Sequence, residues 1–131
     1  MRNGNILYVV DNDEIFVYGL KSVVQKHNLC ENVVAFTNGE DAINELKFHI
    51  RNNPEELPDV IFLDLNMPVM DGWDFLKEFI EMKSMFNKKI AIYMLSSSIN
   101  PADIETARSY EEISDYISKP LKYELIEKVL S

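Results

Sequence analysis

Five short apolar runs punctuate the chain, and between them apolar positions recur at intervals of three and four. Ile6 to Val10, Val33 to Phe36, Val60 to Leu63, Ile90 to Leu95 and Tyr116 to Ile117 are mostly continuous and rich in β-branched and aromatic residues. That is the pattern of strands covered on both faces. The stretches between them carry helical stripes: Phe16, Leu20, Val23, Val24 and His27, then Ala42, Ile43, Leu46 and Ile50, then Phe75, Leu76, Phe79 and Ile80. Ile104 with Ala107 gives a weak fourth stripe, and Leu121, Leu125, Ile126 and Val129 a fifth. Asn38 ahead of Asp41, and Asn100 ahead of Pro101, have the chemistry of helix starts. The segment HIRNNPEELPD, 49–59, reads as a fraying helix followed by a proline-bounded loop. Five strand–helix units in a row predict an α/β fold, a doubly wound five-stranded parallel sheet with right-handed crossovers and helices on both faces.

In such a sheet, ligands bind outside the carboxyl ends of the strands. The first strand ends in Asp11-Asn12-Asp13, the third in Asp64, the fourth in Ser96-Ser97-Ser98 and the fifth in Lys119-Pro120. Carboxylates, hydroxyls and an amine therefore meet on one rim. Two acids on neighbouring strands with no partner raise each other's pKa, so a cation belongs between them. Magnesium suits such a place, because it takes oxygen ligands, keeps several waters and needs only one or two carboxylates beside a phosphate oxygen. Lys119 adds a fixed positive charge, and a serine hydroxyl can bond a phosphoryl oxygen. The set reads as phosphoryl transfer with an aspartate as acceptor. Each acid or serine alone is what a helix cap or polar turn would supply; complementary groups at four strand ends make a site.

Composition narrows the partners. At 131 residues, 47% hydrophobic and 27% charged, the chain is expected to form one domain without metal or disulfide staples. A net charge of −9 repels nucleic acid and anionic membrane surfaces. The basic stretch KSMFNKK, 83–89, is too short to override that field and reads as a solvated helix end and loop. The only cysteine, Cys30, excludes an internal disulfide and a thiolate cage and fits a reducing compartment. With neither a secretory signal pattern nor an apolar run long enough to cross a bilayer, a cytoplasmic location is expected. His27 and His49 lack metal-ligand spacing and read as helix-face residues, while Trp73 and the phenylalanines near it read as core.

VVDND, VIFLDLNMPVMDG, YMLSSS and YISKP, taken in order and spacing, resemble the receiver domain of two-component response regulators, and the match covers nearly the whole chain. The resemblance implies a flavodoxin-like strand order 2-1-3-4-5 and a single-domain receiver without an effector domain. It implies that Asp64 is the phosphoacceptor, taking a phosphoryl group from a histidine kinase or histidine phosphotransfer protein with Mg2+ as cofactor. Asp11 corresponds to the first acid of the metal-binding pair, and the backbone carbonyl of Asn66 to a metal ligand shaped by the turn residues Met67-Pro68 and Asp71-Gly72. Ser96 would bond the acyl phosphate, Lys119 would pair with the phosphoryl oxygens, and Tyr116 would be the switch aromatic coupled to Ser96. Asn66 and Ser98 stand at positions that tune loss of the phosphoryl group. The fourth helix, fifth strand and fifth helix would form the face that binds a downstream protein.

One position departs from the pattern. Asn12 stands where the family has a second acid, so its amide oxygen can coordinate the metal but brings no charge, and Asp13 is placed to compensate through bound water. A phosphorylation-independent docking module, and a fragment of a longer response regulator or hybrid kinase, are the alternatives. A phosphohydrolase with an aspartyl nucleophile would carry a second acid two residues further on, where this chain has Asn66, so turnover of an external substrate beyond slow self-dephosphorylation is not expected. A magnesium titration should therefore show tighter binding for Asn12→Asp and weaker binding for Asp13→Asn than for the wild type.

Overall fold

The computed structural model describes residues 5–67, 70–97 and 100–130. Strands β1 (Ile6–Val10), β2 (Asn32–Phe36), β3 (Val60–Asp64), β4 (Ala91–Ser96) and β5 (Ile113–Ser118) alternate with helices α1 (Glu14–Lys26), α2 (Gly39–Asn52), α3 (Gly72–Met82), α4 (Pro101–Arg108) and α5 (Tyr123–Leu130). All strand pairs are parallel, in the order β2-β1-β3-β4-β5. The chain reverses direction across the sheet between β1 and β3, as the alternation of strands and helices predicts for a doubly wound fold.

Side-chain alternation divides the core into two layers. Tyr8 and Val10 of β1 join Ile61 and Leu63 of β3 against Ala42, Ile43 and Leu46 of α2 and Phe75, Leu76 and Phe79 of α3. Leu7, Val9 and Phe62 face the other way, against Leu20 and Val24 of α1 and Ile126 and Leu130 of α5. β1 and β3 are buried along their whole length, which explains why both read as unbroken apolar runs.

Away from the centre the structure departs from the pattern in three places. The edge strands β2 and β5 are only partly covered, and β5 spans six residues where only Tyr116 and Ile117 form an apolar run. Its register slips at Ser114, since Ile92 pairs with Ile113 and Tyr93 with Asp115. α2 does not fray at His49 but continues to Asn52, its last turn held by His49 between Glu45, at 2.9 Å from Nε2, and Asn53, at 2.7 Å from Nδ1. The basic stretch after α3 is not simply solvated. It opens with a 3-10 turn, Lys83–Met85, and Lys83 bonds Glu111 and Glu112 at 3.0 and 2.8 Å while Lys88 bonds Asp59 at 3.0 Å. The helix starts are as expected: Asn38 accepts from the Asp41 amide at 2.8 Å, and Asn100 accepts from Ala102 at 2.9 Å ahead of Pro101.

Gly72 opens α3 in a seat with no room for a side chain. A Cβ there would lie 2.9 Å from Leu65 Cα and 3.1 Å from the Asp64 carbonyl oxygen, both backbone atoms, whereas one on Gly19 would meet nothing within 4 Å. Close approach of α3 to the end of β3 therefore requires glycine at 72, but α1 does not require it at 19. In urea unfolding, Gly72→Ala should cost about 1–3 kcal/mol through overpacking, while Gly19→Ala, inside a helix, should add about 0.5–1 kcal/mol.

Candidate functional site

The rim formed by the strand carboxyl ends is built by the backbone before any side chain acts. Asp11 follows β1 and is tied to the end of β2 through its amide, which donates to the Phe36 carbonyl at 2.9 Å. Asp64 is the last residue of β3 and lies opposite Leu95 of β4, while Leu65 N donates to the Leu95 carbonyl at 2.9 Å. Ser96 closes β4 and pairs with Ser118, and the Lys119 amide donates to the Ser96 carbonyl at 2.8 Å. Asp11, Asp64 and Ser96 are each at most 5% exposed, so these polar groups are held inside the edge of the core. The Lys119–Pro120 peptide bond is cis.

Lys119 is the cation that two buried acids demand. Its Nζ lies 2.6 Å from Asp11 Oδ2 and 3.6 Å from Asp64 Oδ1, with the ring of Phe16 on a further side, 4.6 Å from the ammonium to the centroid. Asp11 Oδ1 accepts from the Asp13 amide at 2.9 Å, whereas among the described residues Oδ2 is held through its ion pair with Lys119. Asp64 Oδ1 also accepts weakly from the Asn66 amide at 3.4 Å. One ammonium against two carboxylates leaves the rim short of one positive charge.

That deficit, at two buried carboxylates, fits a hard divalent cation. Among the described residues no three His, Cys, Asp or Glu side chains converge on one point. Two carboxylates completed by carbonyl, amide or water oxygens suit magnesium better than zinc. Asn12 is exposed beside this rim. Asp13 is also exposed, and its Oδ1 accepts from the Phe16 amide at 3.1 Å, so part of the carboxylate is engaged as the cap of α1. Asn66 is exposed, Met67 is buried, and Asp71 caps α3 by accepting from the Asp74 amide at 2.9 Å. Pro68 and Ser98 lie outside the described residues.

Tyr116 packs against the α2 and α3 side of the core, and its hydroxyl is buried without a hydrogen-bond partner among the described residues. It borders a cleft of about 230 Å3 with Ile104, Ala107 and Arg108 of α4. His27 packs tilted against Tyr123 at 4.6 Å between centroids, well away from the rim chemistry, and Trp73 stacks on Tyr110 at 6.2 Å. The residue that strand-end reasoning misses is Phe16. Its place in the first stripe of apolar positions marks it as core, and only its nearness to the Asp11 turn hints at a second role.

Burial pushes the Asp64 carboxyl up to about 6, Asp11 adds to the push, and Lys119 and the Asn66 amide pull against it. The folded chain thus holds this proton more tightly than the unfolded chain, where the ordinary value is 3.8. The resulting stabilisation is complete below the unfolded value and is lost as pH rises through about 6. In metal-free protein, Asp64→Asn should therefore raise Tm at about pH 7.5, by on the order of 4 °C for each kcal/mol relieved. Thermal unfolding repeated at about pH 4 should show that advantage gone.

Residues 7–131 match the response regulator receiver domain family. The hybrid signal transduction histidine kinase L of Dictyostelium discoideum is 29% identical over 129 residues, covering 97% of this chain and 7% of that protein. The chain spans between 7% and 57% of the length of the curated relatives it matches. Among solved structures, a two component response regulator from Cytophaga hutchinsonii superposes with a TM-score of 0.85 at 25% identity, over 98% of each chain. A response regulator receiver protein from Dyadobacter fermentans DSM 18053 gives 0.79 at 27% identity, over 95% of this chain and 94% of that one. No helix among the described residues is long and apolar enough to cross a membrane. With its five parallel strands, its β1–β3 reversal and its acid and lysine rim, the chain belongs to the response regulator receiver domain family.

Proposed function

We propose that the chain is a phosphoacceptor in a histidine-to-aspartate phosphorelay, with Asp64 the accepting residue. The observation that carries this reading is the single ammonium of Lys119 held between two buried carboxylates at the end of a rigid strand. A carboxylate oxygen of Asp64 attacks the phosphorus of a phosphohistidine. The new O–P bond forms as the N–P bond breaks, and the electron pair returns to the imidazole. Lys119 neutralises the oxygens of the transferred group, and the Ser96 hydroxyl bonds one of them. Asp11, Asp64, the Asn66 carbonyl and the Asn12 amide oxygen are the groups that would hold magnesium, with Asp13 acting through water. The ion, when bound, would neutralise charge on the phosphoryl oxygens.

Phosphorylation adds charge and acceptor oxygens, and Ser96 with Tyr116 forms the element that responds to them. Residues 1–131 act in this reading as one receiver unit. The output surface is α4, β5 and α5, where Tyr116 borders the cleft beside α4. The phosphodonor meets a different face. Ile15 and Tyr18 of α1 are 86% and 75% exposed, and beside them a groove of about 310 Å3 runs between α1 and Pro120-Leu121. Its wall includes Phe16, which touches Lys119, so an apolar helical surface bearing the phosphohistidine could seat there within reach of the rim. Asn12 favours a second reading, a docking module that works without phosphorylation, because removing an acid weakens the metal site.

Intact mass after incubation with magnesium and acetyl phosphate should show one phosphoryl adduct on the wild type and none on Asp64→Asn. A folded wild type without an adduct, alongside a known receiver that labels, favours the docking module. Ile15→Asp with Tyr18→Ala should slow transfer from a phosphohistidine protein while leaving labelling by acetyl phosphate unchanged.

A further inference from the structure

We infer that Phe16 is a positioning residue for Lys119, its ring holding the ammonium at the point from which it meets the phosphoryl oxygens. The inference rests on the phosphoacceptor reading above and adds a residue to its machinery.

A lysine side chain has four rotatable carbons, and fixing its tip costs conformational freedom. At this rim the charges that hold the tip change during the reaction. Lys119 is closest to Asp11, at 2.6 Å, and 3.6 Å from Asp64, the group that is modified. Once Asp64 carries a phosphoryl group, the charge on that side moves from the carboxylate out to the phosphoryl oxygens, so the anionic contacts that place the ammonium before transfer are not those that hold it afterwards. The Phe16 ring is neutral and unaltered by any step. With the ammonium 4.6 Å from its centroid, it attracts the cation through its electron-rich face. It does so without occupying a carboxylate or blocking the N–H groups that must reach phosphate.

The ring is itself fixed relative to the acids. Asp13 Oδ1 accepts from the Phe16 amide at 3.1 Å, and the Asp13 amide donates to Asp11 Oδ1 at 2.9 Å. Two hydrogen bonds thus tie the ring's backbone to the carboxylate that competes for the same ammonium. Phe16 also lines the groove between α1 and Pro120-Leu121. A partner seated in that groove would exclude water from the ring, and a desolvated cation–ring contact is stronger than an exposed one. Docking of a donor would therefore tighten the hold on Lys119 at the moment it is needed.

The test compares Phe16→Leu, Phe16→Tyr and replacement of Phe16 by pentafluorophenylalanine, which keeps the shape and reverses the charge of the ring face. Two quantities are read. The first is the rate of Asp64 phosphorylation by acetyl phosphate with magnesium. The second, which needs no activity, is the NMR shift of the Lys119 ε-methylene protons in metal-free protein, with circular dichroism confirming that each variant is folded. In the wild type those protons should be shifted upfield by the ring. Phe16→Leu should abolish the shift and slow phosphorylation roughly three- to tenfold. Phe16→Tyr should keep both near wild type, and the fluorinated ring should behave like leucine in rate. Equal rates across the series, equal losses in Phe16→Leu and Phe16→Tyr, or a wild-type Lys119 without a ring-induced shift would overturn the inference. A folded wild type that takes no phosphoryl group fails the phosphoacceptor reading instead, and the methylene shift still decides whether the ring holds Lys119.

Discussion

The molecule is organised around an electrostatic problem: two carboxylates are buried side by side at the end of a sheet, with one ammonium to balance them. Parallel strands gather all their carboxyl ends on one rim, and the β2-β1-β3-β4-β5 order sets the Asp11 and Asp64 strands next to each other. The balancing charge has to come from β5, two strands away from Asp64 and three from Asp11. With neighbouring strands about 4.8 Å apart, that distance calls for a long side chain projecting from beyond the strand end, across β4. Lysine has that reach, and β4 ends in Ser96, a small residue that can share the rim without filling it. Register, side-chain length and the size of the residue at the end of β4 are parts of one solution.

Asn12 changes the terms of that solution. With an acid at this position the rim would carry three negative groups, and a divalent ion would be the dominant source of balance. With an amide, the single ammonium neutralises half of the remaining negative charge, and Lys119 takes a larger share of holding the rim together. Asp13 cannot give itself wholly to the metal, because one of its oxygens caps α1. The helix that begins beside the site draws on the same small stock of oxygens that a bound ion would need.

How far the sequence announces this depends on what each residue must satisfy. β1 and β3 are covered on both faces, so their apolar runs are unbroken and their ends, with Asp11 and Asp64, can be located directly. β5 is an edge strand with polar residues on its open side, and its full length is hidden from hydrophobicity alone. The last turn of α2 looks like loop because its stability comes from His49 bonding Glu45 and Asn53, a side-chain arrangement with no periodic signature. Asp59 looks like part of that same loop, although it accepts from the Ile6 amide at 2.9 Å and pairs with Lys88. Phe16 is concealed for a different reason: a ring under a lysine and a ring in a core occupy the same helical positions. Groups defined by one strand end are legible, and groups defined by the particular side-chain partner they meet are not.

The seat of Gly72 against β3 also determines what the protein can report about itself. The chain has one tryptophan, Trp73, in the turn of α3 immediately after that seat, with its indole stacked on Tyr110 just ahead of β5. The indole is therefore a built-in gauge, lodged between the strand end that carries Asp64 and the segment leading to Tyr116. Any change in its emission originates at that one junction, with no second indole to confuse the signal.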